Sequence, residues 1–325
     1  MALSLGKKLA FAGVTLVGVL GIAEIVLRIG TRELGEATIP DDLVKRHVAE
    51  GSMSYHPVLG WVRAELPNPR LGLNAEGFRY GDVPRAKPAG TWRAFTLGDS
   101  QTYGAGAASD ETYTWIAEQL LRERTGRGGD LQLINTGISG YGSLQALRLI
   151  EHKLLAWEPD LLIVDCRTYD QPKDGLLPPV GPSRAAMEGV LWHSRLYYTL
   201  RFWLERWRPT TGRHMQHQPG QIDETERKAG FGNHENLKAL AAREGVDLMF
   251  VDYPVWDQRH DRIVCQAPPE ELPAGVPVAR ACVALQQDGR SPSTLFIDPN
   301  HLEAPGNEVF GAALADAIQG AGLLD

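Results

Sequence analysis

The residues best suited to chemistry in this sequence are a serine, a histidine and an aspartate near the ends of two apolar runs. Ser100 ends the stretch Phe95-Thr-Leu-Gly-Asp-Ser, and Asp298 and His301 follow Phe296 with a spacing of three residues. Nucleophilic hydrolysis by serine needs a hydroxyl, a base within hydrogen-bond reach and a group that orients the base. We therefore predict that Ser100 is a nucleophile, that Nε2 of His301 takes its proton, and that Asp298 holds Nδ1 of His301.

Each of the two motifs has a plainer interpretation when it is taken alone. A Gly-Asp-Ser turn is most often an ordinary loop, and Asp298 or Asn300 could instead cap the start of a helix. The catalytic interpretation requires a fold that brings Ser100 and His301 together, so it depends on the elements around them.

Short apolar runs alternate with helix-like stretches from residue 93 onward. We predict strands over residues 94–97, 131–134, 161–164, 248–252 and 294–297. We predict helices over residues 111–124, 144–157, 233–243 and 306–318. This alternation implies βαβ units around a parallel sheet, and the continuous apolar strands fit a sheet that is covered on both faces. The predicted fold is a three-layer α/β sandwich with Ser100 and His301 at the carboxyl edge of the sheet, where open α/β sheets bind ligands.

The first thirty residues do not have the pattern of a globular domain. Lys7 and Lys8 precede an apolar run over residues 9–27 that only Glu24 interrupts, and a membrane-spanning helix needs roughly 20 such residues. We favour a signal anchor, because the apolar run continues past Glu24. A cleaved signal peptide, with Gly21-Ile-Ala23 as its cleavage site, and a buried core helix are the alternatives. Both export signals predict an extracytoplasmic catalytic domain, and the anchor predicts a single-pass protein of the inner (cytoplasmic) membrane.

Composition divides the chain into an anchor over residues 1–30, a tether and lead-in over 31–92, and a catalytic domain over 93–325. Residues 171–230 interrupt the strand–helix alternation and form an insertion in that domain. The insertion is rich in aromatic residues: Trp192, Tyr197, Tyr198, Phe202, Trp203 and Trp207. It is either a helix that covers the sheet edge, a platform for an acyl or sugar group, or a surface that lies against the membrane.

Charge and motif content exclude several classes of function. The net charge of −7 at pH 7 argues against a general nucleic-acid binder, which needs a basic face. The sequence contains neither a P-loop nor a G-x-G-x-x-G fingerprint, so we predict no cofactor. His214 and His217 have metal-like spacing but stand in a polar, proline-flanked stretch, and we predict no metal site. Cys265 and Cys282 either form a disulfide, which an exported domain allows, or remain two free thiols.

Three short blocks resemble those of the SGNH (GDSL-type) hydrolases, and they occur in the family's order. Gly98-Asp99-Ser100 with Thr102-Tyr-Gly-Ala-Gly106 resembles the first block, and Asn135-Thr-Gly-Ile-Ser-Gly140-Tyr-Gly resembles the second. Asp298-x-x-His301 and the helix that follows resemble the last block. The resemblance extends over about residues 93–320. The lead-in stretch Asn74-Ala-Glu-Gly-Phe-Arg79 and the N-terminal apolar run resemble membrane-tethered bacterial members.

The resemblance implies a flavodoxin-like fold with a five-stranded parallel sheet. It also implies that Ser100 is the nucleophile, His301 the base and Asp298 its orienting group. The backbone N–H groups of Ser100 and Gly140 would form the oxyanion hole. One position departs from the family pattern, because Tyr169 stands where the third block carries an oxyanion-donating Asn.

These patterns together predict a membrane-anchored serine esterase or deacylase with an acyl-serine intermediate. The expected substrate is an acylated small molecule or glycan, with O-acetyl groups on extracytoplasmic glycans as the leading expectation. An acyltransferase that uses the same triad is one alternative. A non-catalytic glycan-binding domain is another, and the Tyr169 substitution is the feature that favours it.

Overall fold

The computed structural model describes residues 4–30, 53–56, 60–63, 71–166, 194, 196, 224–266 and 272–324. The chain forms two compact units. The first contains Met1–Trp61 and Gly175–Met215, and the second contains Val62–Asp174 and Gln216–Asp325. The part of the chain from Val62 to the first strand of the central sheet belongs to the second unit.

The first unit begins with helix α1 (Leu5–Gly30). Its 22-residue segment Gly6–Leu27 has a mean hydropathy of 2.2 and is not buried. Among the described residues it is the one helix long and apolar enough to cross a membrane. Signal sequences and core helices of soluble proteins can have the same length and composition. The carboxylate of Glu24 accepts hydrogen bonds from the hydroxyl of Ser194 (2.9 Å) and the backbone N–H of Leu196 (2.8 Å).

Two short strands, β1 (Met53–His56) and β2 (Gly60–Arg63), pair in a small sheet of their own. The central sheet of the second unit has six strands: β3 (Trp92–Leu97), β4 (Leu131–Asn135), β5 (Leu161–Cys166), β6 (Asp247–Asp257), β7 (Arg262–Gln266) and β8 (Val278–Ala279). Its order is β4-β3-β5-β6-β7, and β8 also pairs with β6. All these pairings are parallel except that of β6 with β7. The sheet is thus mixed, with parallel strands at its centre.

Helices cover both faces of this sheet, as the three-layer prediction required. On one face lie α3 (Tyr113–Thr125), α6 (Ala281–Gln287) and α8 (Ala304–Gly320), and on the other lie α4 (Ser143–His152) and α5 (Glu224–Glu244). The side chains of each strand alternate between the two layers. Leu133, Ile163 and Met249 are fully buried in the first layer's core beside Phe310 and Leu314 of α8. Each such side chain contributes about 1.5–3 kcal/mol by burial.

The last predicted strand was partly wrong. The sheet does contain five parallel strands, β4, β3, β5, β6 and β8, but β7 adds an antiparallel sixth. Residues 294–297 do not join the central sheet, because Pro292–Leu295 form a short helix, α7, with proline in its first turn. Strand β9 (Phe296–Asp298) follows and pairs antiparallel with β10 (His301–Leu302) in a small hairpin. The fifth parallel strand is instead β8, which pairs with β6. Its two residues are too few to produce a periodic pattern. The second predicted helix also ends early, at His152.

The open question of the cysteines is resolved as a disulfide. Cys265 of β7 is bonded to Cys282 of α6, which ties the antiparallel edge strand to the helix layer.

Candidate active site

Ser100 is the first residue of a four-residue helix, α2 (Ser100–Tyr103), immediately beyond the carboxyl end of β3. Asp99 caps this helix, because its side chain accepts a hydrogen bond from the backbone N–H of Gln101 at 2.7 Å. Gly104 ends the helix in the left-handed conformation (φ 80°), which glycine adopts without strain. The local sequence thus forces a sharp turn that presents the serine hydroxyl at the edge of the sheet.

The hairpin of β9 and β10 brings the histidine and the aspartate to this serine. Nε2 of His301 lies 2.8 Å from Oγ of Ser100, and Nδ1 of His301 lies 2.7 Å from Oδ2 of Asp298. Oδ1 of Asp298 accepts the backbone N–H groups of Asn300 (2.8 Å) and His301 (3.0 Å). The structure therefore brings together the three residues that the sequence singled out, although Ser100 and His301 are 201 residues apart in the chain.

The environment of Asp298 favours its ionised form. Partial burial acts to raise the pKa of this carboxyl. The hydrogen bonds from the His301 side chain and from two backbone N–H groups outweigh that effect, so the pKa of Asp298 is lower than usual. An ionised Asp298 accepts a hydrogen bond from the N–H at Nδ1 of His301. The other ring nitrogen, Nε2, is then the hydrogen-bond acceptor that faces Ser100.

Gln101 connects the nucleophile helix to the hairpin. Its side-chain amide donates to the backbone carbonyls of Asn300 (2.8 Å) and Pro254 (3.2 Å), and the residue is only 3% exposed. The backbone N–H of Trp256, in β6, donates to the carbonyl of Pro299 at 2.8 Å. Sequence reasoning missed Gln101, because nothing in the spacing distinguishes it from other polar residues beside a turn.

A carboxylate of the neighbouring strand supports the turn that carries Ser100. Oδ2 of Asp165, in β5, accepts hydrogen bonds from the hydroxyl of Thr102 (2.8 Å) and from the backbone N–H of Asp99 (3.2 Å). A Cβ at Gly98 would lie 1.8 Å from the same oxygen, so this close approach requires glycine. The buried hydroxyl of Tyr253 donates to Asp99 at 3.2 Å.

The loop that carries Gly140 packs against the same turn. The backbone N–H of Ile138 donates to the carbonyl of Gly98 at 2.9 Å, and a Cβ at Gly137 would meet the backbone of Tyr103 at 2.3 Å. Gly140 itself has a positive φ of 79°. Its assignment to an oxyanion hole with Ser100 stays a prediction.

Several sequence predictions fall outside the described residues, namely those on Tyr169, the aromatic insertion, His214 and His217. Among the residues that the structure does describe, one group has metal-like proximity: Asp252, Cys265 and Cys282. Its two cysteines are joined in the disulfide, so their sulfurs are not available as thiolate ligands.

Neither a protein-family model nor a curated protein matches the sequence. Several solved structures are similar to it at low identity. One is an α/β hydrolase enzyme from the metagenome of Lake Arreo, Spain, with 14% identity, a TM-score of 0.43, and coverage of 72% of this chain and 96% of that chain. Another is an acetylxylan esterase from Geobacillus stearothermophilus, with 14% identity, a TM-score of 0.44, and coverage of 71% and 96%. A third is a GDSL-like lipase from Bacteroides thetaiotaomicron, with 15% identity, a TM-score of 0.38, and coverage of 73% and 92%.

Proposed function

We propose that this chain is a serine ester hydrolase of the SGNH (GDSL) type. The observation that carries the proposal is the relay of two hydrogen bonds from Ser100 Oγ through His301 to Asp298, at 2.8 and 2.7 Å. The three ordered sequence blocks around these residues support the same conclusion. The relay is the arrangement that activates a serine, because the imidazole can take the hydroxyl proton while the carboxylate stabilises the imidazolium.

The proposed reaction has two stages, acylation and deacylation. In the first, Oγ of Ser100 attacks the acyl carbon while its proton passes to Nε2 of His301, and the backbone N–H groups of Ser100 and Gly140 stabilise the oxyanion. The ester C–O bond then breaks, and His301 returns the proton to the leaving alkoxide. In the second stage the same imidazole deprotonates a water molecule, which attacks the acyl-serine. The free acid leaves, and Ser100 recovers its proton from His301.

The proposed substrates are O-acyl esters, with O-acetyl groups on extracytoplasmic glycans as the first class to test. The basis for an extracytoplasmic site is the apolar run over residues 9–27, the main part of the segment Gly6–Leu27, which follows Lys7 and Lys8 directly as in an export signal. In this proposal α1 holds the protein in the inner membrane by a single span, and the catalytic unit lies outside the cytosol. Release of acetate to water supports a hydrolase, whereas faster transfer to an added sugar hydroxyl supports the acyltransferase.

A fluorophosphonate probe tests the proposal without knowledge of the substrate. The full-length protein is treated with the probe and its intact mass is measured, together with Ser100→Ala and His301→Ala. We expect one adduct on the wild type and none on either variant, because each removes one end of the activating hydrogen bond.

His260 provides a matched control. Its Nδ1 lies 2.7 Å from Asp257 Oδ2 with the same three-residue spacing, but among the described residues no serine hydroxyl bonds to it. His260→Ala should therefore label like the wild type. Absence of an adduct on folded wild-type protein would overturn the catalytic proposal and favour a non-catalytic binding domain.

A further inference from the structure

The nucleophile helix α2 is too short to be stable by its own hydrogen bonds. A helix leaves its last carbonyls without internal partners, and four residues are far fewer than an isolated helix needs in water. Here the carbonyls of Ser100 and Gln101 accept the backbone N–H of Gly104 (3.1 and 3.0 Å), and side chains from other parts of the unit take the last two. The side-chain amide of Asn135 donates to the carbonyl of Thr102 at 2.7 Å.

Arg79 binds three further carbonyls at and beyond the end of α2. Its Nη1 donates to the carbonyls of Tyr103 (2.6 Å) and Gly104 (2.8 Å), and its Nη2 donates to that of Ala107 (2.6 Å). The guanidinium also lies over the ring of Tyr103, 4.5 Å from the centroid. Hydrogen bonds from a charged donor are about twice as strong as neutral ones, and a cation is favoured at the carboxyl end of a helix.

The backbone around Arg79 is held by packing and hydrogen bonds, which fixes the base of the arginine side chain. Phe78 is buried and packs edge-on against Phe95 (5.8 Å) and Trp157 (5.1 Å). The backbone N–H of Arg79 donates to the carbonyl of Asn135 at 3.0 Å. Asn74 closes the loop before it, because its side-chain oxygen accepts the N–H of Phe78 at 3.0 Å.

We propose that Arg79 is a positioning residue for the nucleophile: by holding the carbonyls at and beyond the end of α2, it fixes Ser100 Oγ at hydrogen-bond distance from His301 Nε2. This inference rests on the proposed function, since it assigns Arg79 a part in the reactivity of Ser100. The planar fork is needed because Nη1 reaches the carbonyls of Tyr103 and Gly104 while Nη2 reaches that of Ala107. A lysine offers a single nitrogen and covers fewer of them.

Arg93 is a matched control for a role in folding alone. It is fully buried, and its guanidinium also donates to backbone carbonyls, those of Arg85 (3.1 Å), Trp157 (2.8 Å) and Pro84 (3.1 Å). It stands in the second position of β3, however, at the opposite end of the strand from Ser100. Replacing Arg93 should destabilise the unit without displacing the serine.

The test is the rate of fluorophosphonate labelling of Ser100, measured on full-length wild type, Arg79→Ala and Arg93→Ala and divided by the folded fraction. A displacement of about 1 Å at a catalytic group can cost about 100-fold. We expect labelling of Arg79→Ala to be about 10- to 100-fold slower than wild type, and that of Arg93→Ala to be unchanged. The labelling rate of Arg79→Lys should lie between the rates of Arg79→Ala and wild type, and this variant provides the test if Arg79→Ala does not fold.

Methylguanidinium adds a measurement that a purely structural role would not move. Arg79 lines a cavity of about 720 Å³ beside the lead-in segment, which gives a small cation a route to the vacated position. Millimolar methylguanidinium should raise the labelling rate of Arg79→Ala severalfold and leave that of Arg93→Ala unchanged. Amide hydrogen exchange over residues 98–107 should be faster in Arg79→Ala and slow again with the added cation.

The outcomes separate the two proposals. Labelling of folded Arg79→Ala at the wild-type rate would overturn the role of Arg79 and leave the serine hydrolase intact. Equal slowing of both arginine variants, with no response to methylguanidinium, would reduce Arg79 to a folding role. If Ser100 of the wild type is not labelled at all, the proposed function fails and the positioning role fails with it.

Discussion

Substitution of Asp298 by asparagine separates the role of this side chain in folding from its role in the relay. Oδ1 of Asp298 accepts the N–H groups of Asn300 and His301, and an asparagine oxygen can keep both bonds. Oδ2 faces Nδ1 of His301, and the asparagine places an NH₂ donor there instead. The imidazole must then carry its proton on Nε2, where it can no longer accept the proton of Ser100.

The two effects differ greatly in size. The Asp298 side chain is 45% exposed, so loss of its charged hydrogen bond to His301 should lower the free energy of unfolding by no more than about 1 kcal/mol. A wrong imidazole tautomer costs about 10⁴-fold in rate in the general Ser-His-Asp template. That factor corresponds to about 5 kcal/mol of barrier, at about 1.4 kcal/mol per tenfold.

The assay is fluorophosphonate labelling followed by intact mass over time, with urea denaturation of the same samples. Asp257→Asn is the matched control, because it alters the equivalent His260 pair and should leave the labelling rate unchanged. Labelling of Asp298→Asn within tenfold of wild type, at unchanged stability, would refute the assignment of Asp298 as the group that sets the tautomer of His301.

Three further predictions concern stability. Replacement of Cys265 and Cys282 by alanine removes a link between residues 17 apart, which should lower the free energy of unfolding in urea by about 3 kcal/mol. Reductant should destabilise the wild type and not the double variant. An equal response of both proteins would contradict this prediction. Gly98→Ala forces a Cβ to within 1.8 Å of Asp165 Oδ2. We expect the free energy of unfolding to fall by more than about 2 kcal/mol and labelling of Ser100 to be abolished. A fully labelled variant would contradict the close packing of this turn. The pKa of Asp298 is lower in the folded protein than in the unfolded chain, so the unfolded chain binds the proton more readily than the folded protein does. The stabilising contribution of Asp298 is therefore complete above about pH 5 and is lost as the pH falls below about 4. The difference in unfolding free energy between wild type and Asp298→Asn should shrink over that range, and a difference independent of pH would exclude the linkage.

The sequence was most informative where elements are long and regular. The strands β3, β4 and β5 are short, mostly apolar runs between turn residues, and the helices α3 and α8 have clear apolar faces, so the strand–helix alternation and the three layers followed from the pattern. The N-terminal apolar helix followed from length and composition for the same reason. Its role as an anchor is still a prediction.

Elements of two to four residues could not be predicted in this way. Strands β8, β9 and β10 have no periodicity to detect, and they exist because neighbouring backbone groups supply their hydrogen bonds. The antiparallel direction of β7 depends on the turn after β6. The residues of β7 by themselves do not distinguish an antiparallel strand from a parallel one.

The same division applies to the candidate site. The sequence by itself determined which side chains could form a relay, because Ser100, Asp298 and His301 have distinctive chemistry and stand beside turns. Only the tertiary structure decided what holds them in place. The side chains of Gln101 and Arg79 act on backbone carbonyls, and every residue has a carbonyl, so no pattern of residue types marks the partner of such a bond. The fold selects those partners by bringing distant segments together.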